Sequence, residues 1–169
     1  PTTNWSKGSP TPGGAEAQGA RELAVSAAYK GAITDAVSFD VGGLQYWYPG
    51  NSYKNITGTN ANTFELYGAV TVSVVTLKYS HSLTDLFGTP DSKGSGYIDL
   101  SAAFDLGNGF SLVPHIGQQR IKNFGNYSDY SITLAKDWDG LVLSAAVVGT
   151  NWKNKFGFEY QLPGSGTRD

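Results

Sequence analysis

The 169-residue chain contains no cysteine and no methionine. Without thiols it can form no disulfide framework and offers no thiolate for catalysis or metal binding. Charge is also scarce, at 15% of residues against roughly 25% in an average soluble chain. Twelve basic side chains face fourteen acidic ones, a net charge of −2 with no basic stripe to neutralise phosphates, so nucleic acid is not an expected partner. No apolar run approaches the ~18 residues of a membrane-spanning helix, which excludes a helical membrane protein. A membrane barrel stays open, because its strands need only about ten residues of alternating polarity. No stretch resembles a secretory signal, and a chain that opens with Pro1 and lacks Met reads as mature or partial.

What is abundant is glycine, with 22 residues, and aromatic side chains, at 13% with ten Tyr. Period-two alternation predicts eight strands, at Arg21–Lys30, Val37–Tyr48, Thr63–Val72, Val75–Ser82, Tyr97–Leu106, Phe110–Gln119, Asp129–Lys136 and Leu141–Thr150. Helical period is absent. The best candidate, Ala15–Ala28, breaks down because Leu23, Val25, Ala27 and Tyr29 alternate with Glu22, Ala24, Ser26 and Ala28.

Short links follow the first, third, fifth and seventh strands, and long polar links, "PGNSYKNITGTNAN", "LTDLFGTPDSKGSG" and "RIKNFGNYSD", follow the others. Tight turns at one end of an up-and-down sheet and long loops at the other match an outer-membrane barrel. Val41, Leu66, Leu77, Leu100, Leu112 and Leu143 fall on the face expected to meet lipid. Asp40, Glu65, Lys78, Asp99 and His115 fall on the other and are the expected pore-lining residues. Tyr46, Trp47 and Tyr48 at the long-loop end, with Trp138 at the short-turn end, would supply aromatic girdles at the two headgroup layers. Both ends read as long-loop material, residues 1–20 before the strands and 151–169 after them, the latter alternatively the start of a further strand. Parity then expects at least one more strand beyond each end.

Few residues suggest chemistry. His115 shares a face with Ser111 beside Asp99 and Ser101, the side-chain types of an acyl-transfer triad. A hydrogen-bonded wall histidine explains it as well. Two histidines, His81 and His115, make no metal motif, so no metal site is expected. Asp85 and Asp91 lie in a loop without EF-hand spacing. Glu65, Lys78 and Asp99 fall on three consecutive strands and form a lumenal charge cluster if their registers agree, either setting ion preference or bracing the wall.

The segments "VSFDVGGLQYWYPG", "NTFELYGAVTV", "VTLKYSHSLTDLFG", "DSKGSGYIDLSAAFDLGNGFSL" and "YSDYSITLAKDWDGLVLSAAVVGTNW" resemble the TorF-type family of porins, over about Glu22 to Trp152. The resemblance implies a twelve-stranded outer-membrane barrel with about three strands before this region and one after it. It supplies no substrate, cofactor or catalytic residue. The family's opening strands and aromatic-ended terminal strand are missing from the chain. Taken together, the expectation is a single all-β domain, an antiparallel up-and-down transmembrane barrel in the bacterial outer membrane. It would act as a passive channel, not an enzyme, and need no cofactor. Its partners would be outer-membrane lipid and small hydrophilic solutes, with a second copy or a protein partner as further candidates. The rival readings are a plugged, partner-binding barrel, a hydrolase using His115, and a soluble ligand-binding barrel.

Overall fold

The structure is a computed structural model that describes residues 22–49, 54–55 and 58–151. The expected terminal loop segments, 1–20 and all but the first residue of 151–169, lie outside the described residues. Nine strands form one antiparallel sheet. They are β1 (Leu23–Thr34), β2 (Val37–Trp47), β3 (Thr63–Val72), β4 (Val75–Ser82), β5 (Gly96–Ala102), β6 (Phe104–Gly107), β7 (Phe110–Ile121), β8 (Gly125–Trp138) and β9 (Leu141–Thr150). Each pairs with its neighbours in the order β1-β2-β3-β4-β5-β7-β8-β9, and β6 pairs with β7. Strands β1 and β9 do not meet, so the described sheet is open.

Three sequence expectations are corrected. The strand expected at Tyr97–Leu106 divides at Ala103 into β5 and β6. The register places Ser101 opposite His115 and Phe104 opposite Leu112, which sets Pro114 against Ala102. Proline has no N–H to give the ladder, so pairing lapses there. On the other side the Ala103 N–H donates to the Val74 carbonyl at 2.8 Å, which extends the seam with β4. The link "RIKNFGNYSD" is not a long loop. Pairing of Arg120 with Asn126 and of Ile121 with Gly125 leaves only Lys122–Phe124 as a turn. Asn123 takes the left-handed conformation there (φ 61°), which asparagine tolerates. Finally, the first link shrinks to Asp35–Ala36 because β1 continues to Thr34.

Turn chemistry fixes the other end. Asn108-Gly109 and Asp139-Gly140 all have positive φ, between 48° and 101°, the type I′ geometry whose twist suits a two-residue hairpin.

The two faces have opposite characters. One carries Val41, Val70, Leu77, Leu100, Ile132, Leu143 and Val147, all exposed. The other carries Asp40, Glu65, Tyr67, Lys78, Asp99, His115 and Ser131, all partly shielded by their neighbours. Leu86 is the one buried hydrophobic residue among the described residues, whereas Thr63, Ser82, Ser92, Ser95 and Gln119 are buried and polar. A sheet in water covers its apolar face with a second layer. Here no described element does so.

Candidate functional site on the polar face

Register assembles one row of side chains across the sheet. Lys30 pairs with Asp40, Asp40 with Ala69, Ala69 with Lys78, Lys78 with Asp99, Asp99 with Gly117, and Gly117 with Asp129. Because side chains alternate, all of these point to the polar face at one level.

Two tyrosines lie flat across glycines and tie the row together. Tyr67 covers Gly42, where an added Cβ would stand 2.8 Å from the ring, and donates to Asp40 Oδ1 at 3.1 Å. Lys30 Nζ approaches the other oxygen of Asp40 at 3.2 Å, and Lys78 Nζ sits 4.1 Å from the centroid of Tyr67. Tyr97 covers Gly117, where a Cβ would collide with the phenol oxygen, and donates to Asp129 Oδ1 at 2.9 Å.

His115 lies at the centre of the second group. Its Nε2 is 2.5 Å from Asp99 Oδ2, 3.0 Å from the Tyr97 hydroxyl and 3.6 Å from Asp129 Oδ1. A single nitrogen facing a carboxylate this closely must carry its hydrogen, so the Nε2–H tautomer is assigned from its partners. The side chains of His115, Asp99 and Asp129 are about one-fifth exposed, shielded yet still open to water. Lys30 with Asp40 and Lys78 beside Asp99 balance in charge, which leaves Asp129 as the excess anion of the row.

The five expected pore-lining residues therefore share one face, but not one level. Lys78 and Asp99 stand opposite each other, while Glu65 lies four residues along β3, opposite Ser82. The expected Glu65–Lys78–Asp99 cluster is therefore not level: Glu65 stands at a separate level near the long-loop end, within electrostatic reach of Lys78.

Of the expected girdle, Trp47 and Trp138 are exposed on the apolar face. Tyr46 is not with them. Its phase matches Asp40, and its ring stacks edge-on against Phe87 at 5.0 Å. Tyr48 donates to Glu22 at 3.1 Å, and burial followed by that carboxylate's charge pushes its phenol up from the usual range. Among the described residues, Tyr29, Tyr79 and Tyr130 are the tyrosines exposed on the apolar face.

Ser111 is not a partner of His115, since it pairs with Asp105 and Ala135 on the ladder. Among the described residues no group of three or more His, Asp and Glu is arranged to hold a metal ion. Sequence reasoning passed over Tyr67, Tyr97 and Asp129. Their phase was readable, but only the register shows that they reach Asp40, His115 and one another.

The mouth of the polar face at the long-loop end is also built. The β4–β5 link turns over the strand ends, held by Thr63 Oγ1, which accepts from Phe87 N–H at 2.7 Å, and by Ser92 Oγ, which accepts from Leu86 N–H at 2.7 Å.

A family model described as "Bacterial protein of unknown function (Gcw_chp)" matches residues 3–162, and the chain belongs to that family. No curated protein and no solved structure matches it.

Proposed function

We propose that this chain is the greater part of a transmembrane β-barrel of the bacterial outer membrane, of the TorF-type porin kind, and that it passes small hydrophilic solutes through a polar lumen. One observation carries the reading: each long strand exposes apolar side chains on one face, such as Val41, Leu66, Leu77, Leu100, Ile116, Ile132 and Leu143, and the charged row is on the other. Contiguous apolar surface beyond a few hundred Å² marks an interface or a membrane. Hydrocarbon is the medium that makes Leu77, Leu100, Ile132 and Leu143 favourable where they stand. The ten residues of β9, at ~3.3 Å rise and a tilt of about 40°, span about 25 Å, the height of a barrel's apolar band. Closure of the open sheet needs further strands between β9 and β1, as the resemblance implies.

Conduction through such a lumen is diffusion past fixed charges, and the row from Lys30 to Asp129 is where a solute meets the most of them. Planar-bilayer conductance of the full-length protein tests the channel. Stable ohmic steps are the expected result, and a folded, inserted protein without conductance refutes it.

A second reading has its own observation. Because the β4–β5 link folds over the polar face and Phe87 stacks on Tyr46, the mouth is narrowed, as a plugged, partner-binding barrel requires. Phe87→Ala separates the two: conductance appearing only in the variant favours the plug.

A further inference from the structure

We infer that the long-loop rim of the apolar face binds the phosphate of a lipid headgroup, an inference that rests on the membrane reading above. The argument begins on the outer surface of β4, β5, β7 and β8. Leu77 is level with Leu100, Ile116 and Tyr130, and one row further along Tyr79 is level with Ile98, Gln118 and Ser128. The row beyond is His81, Gly96, Arg120 and Asn126. The surface passes from aliphatic to aromatic to cationic over three rows. Tyr79 makes the junction: its ring lies over Gly96, and its hydroxyl is 3.3 Å from His81 Nδ1. An amphipathic ring so placed sits where hydrocarbon gives way to headgroups.

Above that junction lies a groove of about 590 Å³, whose lining includes His81, Lys93 and Lys122. Lys93 comes from the β4–β5 link and Lys122 from the β7–β8 turn, which are joined where Asn123 donates to the Asp91 carbonyl at 3.0 Å. Among the described residues Lys93, Arg120 and Lys122 make no ion pair. Two acids, Asp85 and Asp91, also line the groove and offset Lys93 and Lys122 there, with Asp85 accepting from the Lys93 backbone N–H at 2.9 Å. The excess positive charge of this rim therefore comes from Arg120 in the row of His81. The opposite rim has the reverse sign: Asp105, Asp137 and Asp139 lie at the β6–β7 and β8–β9 turns on the side of Lys136, and Asp35 at the β1–β2 turn.

Three cations, Lys93, Arg120 and Lys122, against two carboxylates leave a net positive rim immediately beyond an apolar band and a tyrosine. Such a rim suits phosphate at the membrane surface, where each cation contributes about fivefold in affinity. A phosphate monoester on a glycolipid fits best, since it carries more charge than the diester of an ordinary phospholipid.

The test uses the full-length protein folded into phosphatidylcholine vesicles containing a minor fraction of a glycolipid with phosphate monoesters. After mild detergent extraction, glycolipid retained per chain is measured by its sugar content. Retention should fall about twenty-fivefold in the Arg120→Gln/Lys122→Gln variant and not in Lys136→Gln at the other rim, with β-sheet content unchanged. Equal retention by all three overturns the inference while insertion of the protein still stands. Equal retention of a dephosphorylated glycolipid, or of phosphatidylglycerol, overturns it too, by showing that tails or any anionic surface suffice. Displacement of the lipid by millimolar inorganic phosphate would make this a site for a soluble anion and overturn the lipid assignment. A chain that enters no vesicle refutes the membrane reading itself.

Discussion

Replacing Gly117 by alanine should change sign with the residue at position 97. In the native protein the new Cβ would collide with the Tyr97 phenol oxygen. A tyrosine ring can swing aside, so the cost is the hydrogen bond it abandons, not an immovable clash. That bond runs from Tyr97 to the Asp129 carboxylate at 2.9 Å between groups that are largely shielded, and bonds to charged partners contribute about 1.5–3 kcal/mol. Against it stands the gain from removing a glycine from a strand interior, about 0.5–1 kcal/mol. Gly117→Ala should therefore destabilise by about 0.5–2.5 kcal/mol. In a Tyr97→Ala background the obstruction is gone, and the same substitution should stabilise by about 0.5–1 kcal/mol. Equilibrium urea unfolding of the four proteins in detergent gives both numbers and their coupling. An equal cost in the two backgrounds would refute the argument, because it would place the conflict with the backbone of β7 and not with Tyr97.

Leu100→Arg, on the exposed apolar face, should cost roughly 2–4 kcal/mol in a bilayer at mid-depth, and a negligible loss in unfolding experiments would argue for water on that side. Asp129→Asn removes the excess anion of the row and should move reversal potentials toward anions. Glu65→Gln, at its separate level, should do the same while the unfolding midpoint barely moves; a large midpoint shift with unchanged selectivity would make Glu65 a structural brace. His115→Ala should leave ester and amide hydrolysis at background, and abolition of a measurable activity would restore the hydrolase.

Strand phase was legible because each long strand was built on period two: Asp40, Glu65, Lys78, Asp99 and His115 needed only counting to be set on one face. Register was not legible, because a shift of two residues keeps every face and changes every neighbour. That is why the sequence alone does not say that Glu65 is level with Ser82 and not with Lys78, nor that Tyr97 reaches Asp129 across the intervening β7. Pro114 announced the break at Ala103, but only to a reader who already had β5 opposite β7. The turn at Lys122–Phe124 was hidden by its polarity, since Asn126 and Ser128 resemble loop residues although they continue β8. Tyr46 departs from the girdle for a simpler reason: three consecutive aromatics cannot share a face of a strand.

The purely sequential pairing makes the sheet modular, because removing one hairpin leaves every remaining hydrogen-bonded seam but one unaltered. The charged row limits which modules can be removed. Excision of residues 63–82 would bring β2 against β5 and set Asp40 level with Asp99, two carboxylates where each now has a lysine on a neighbouring strand. Facing like charges are unfavourable across a strand pair. The shortened sheet would slide in register, so the alternation of Lys30, Asp40, Lys78 and Asp99 also records which strands can be neighbours, and with that the order in which the sheet can be laid down.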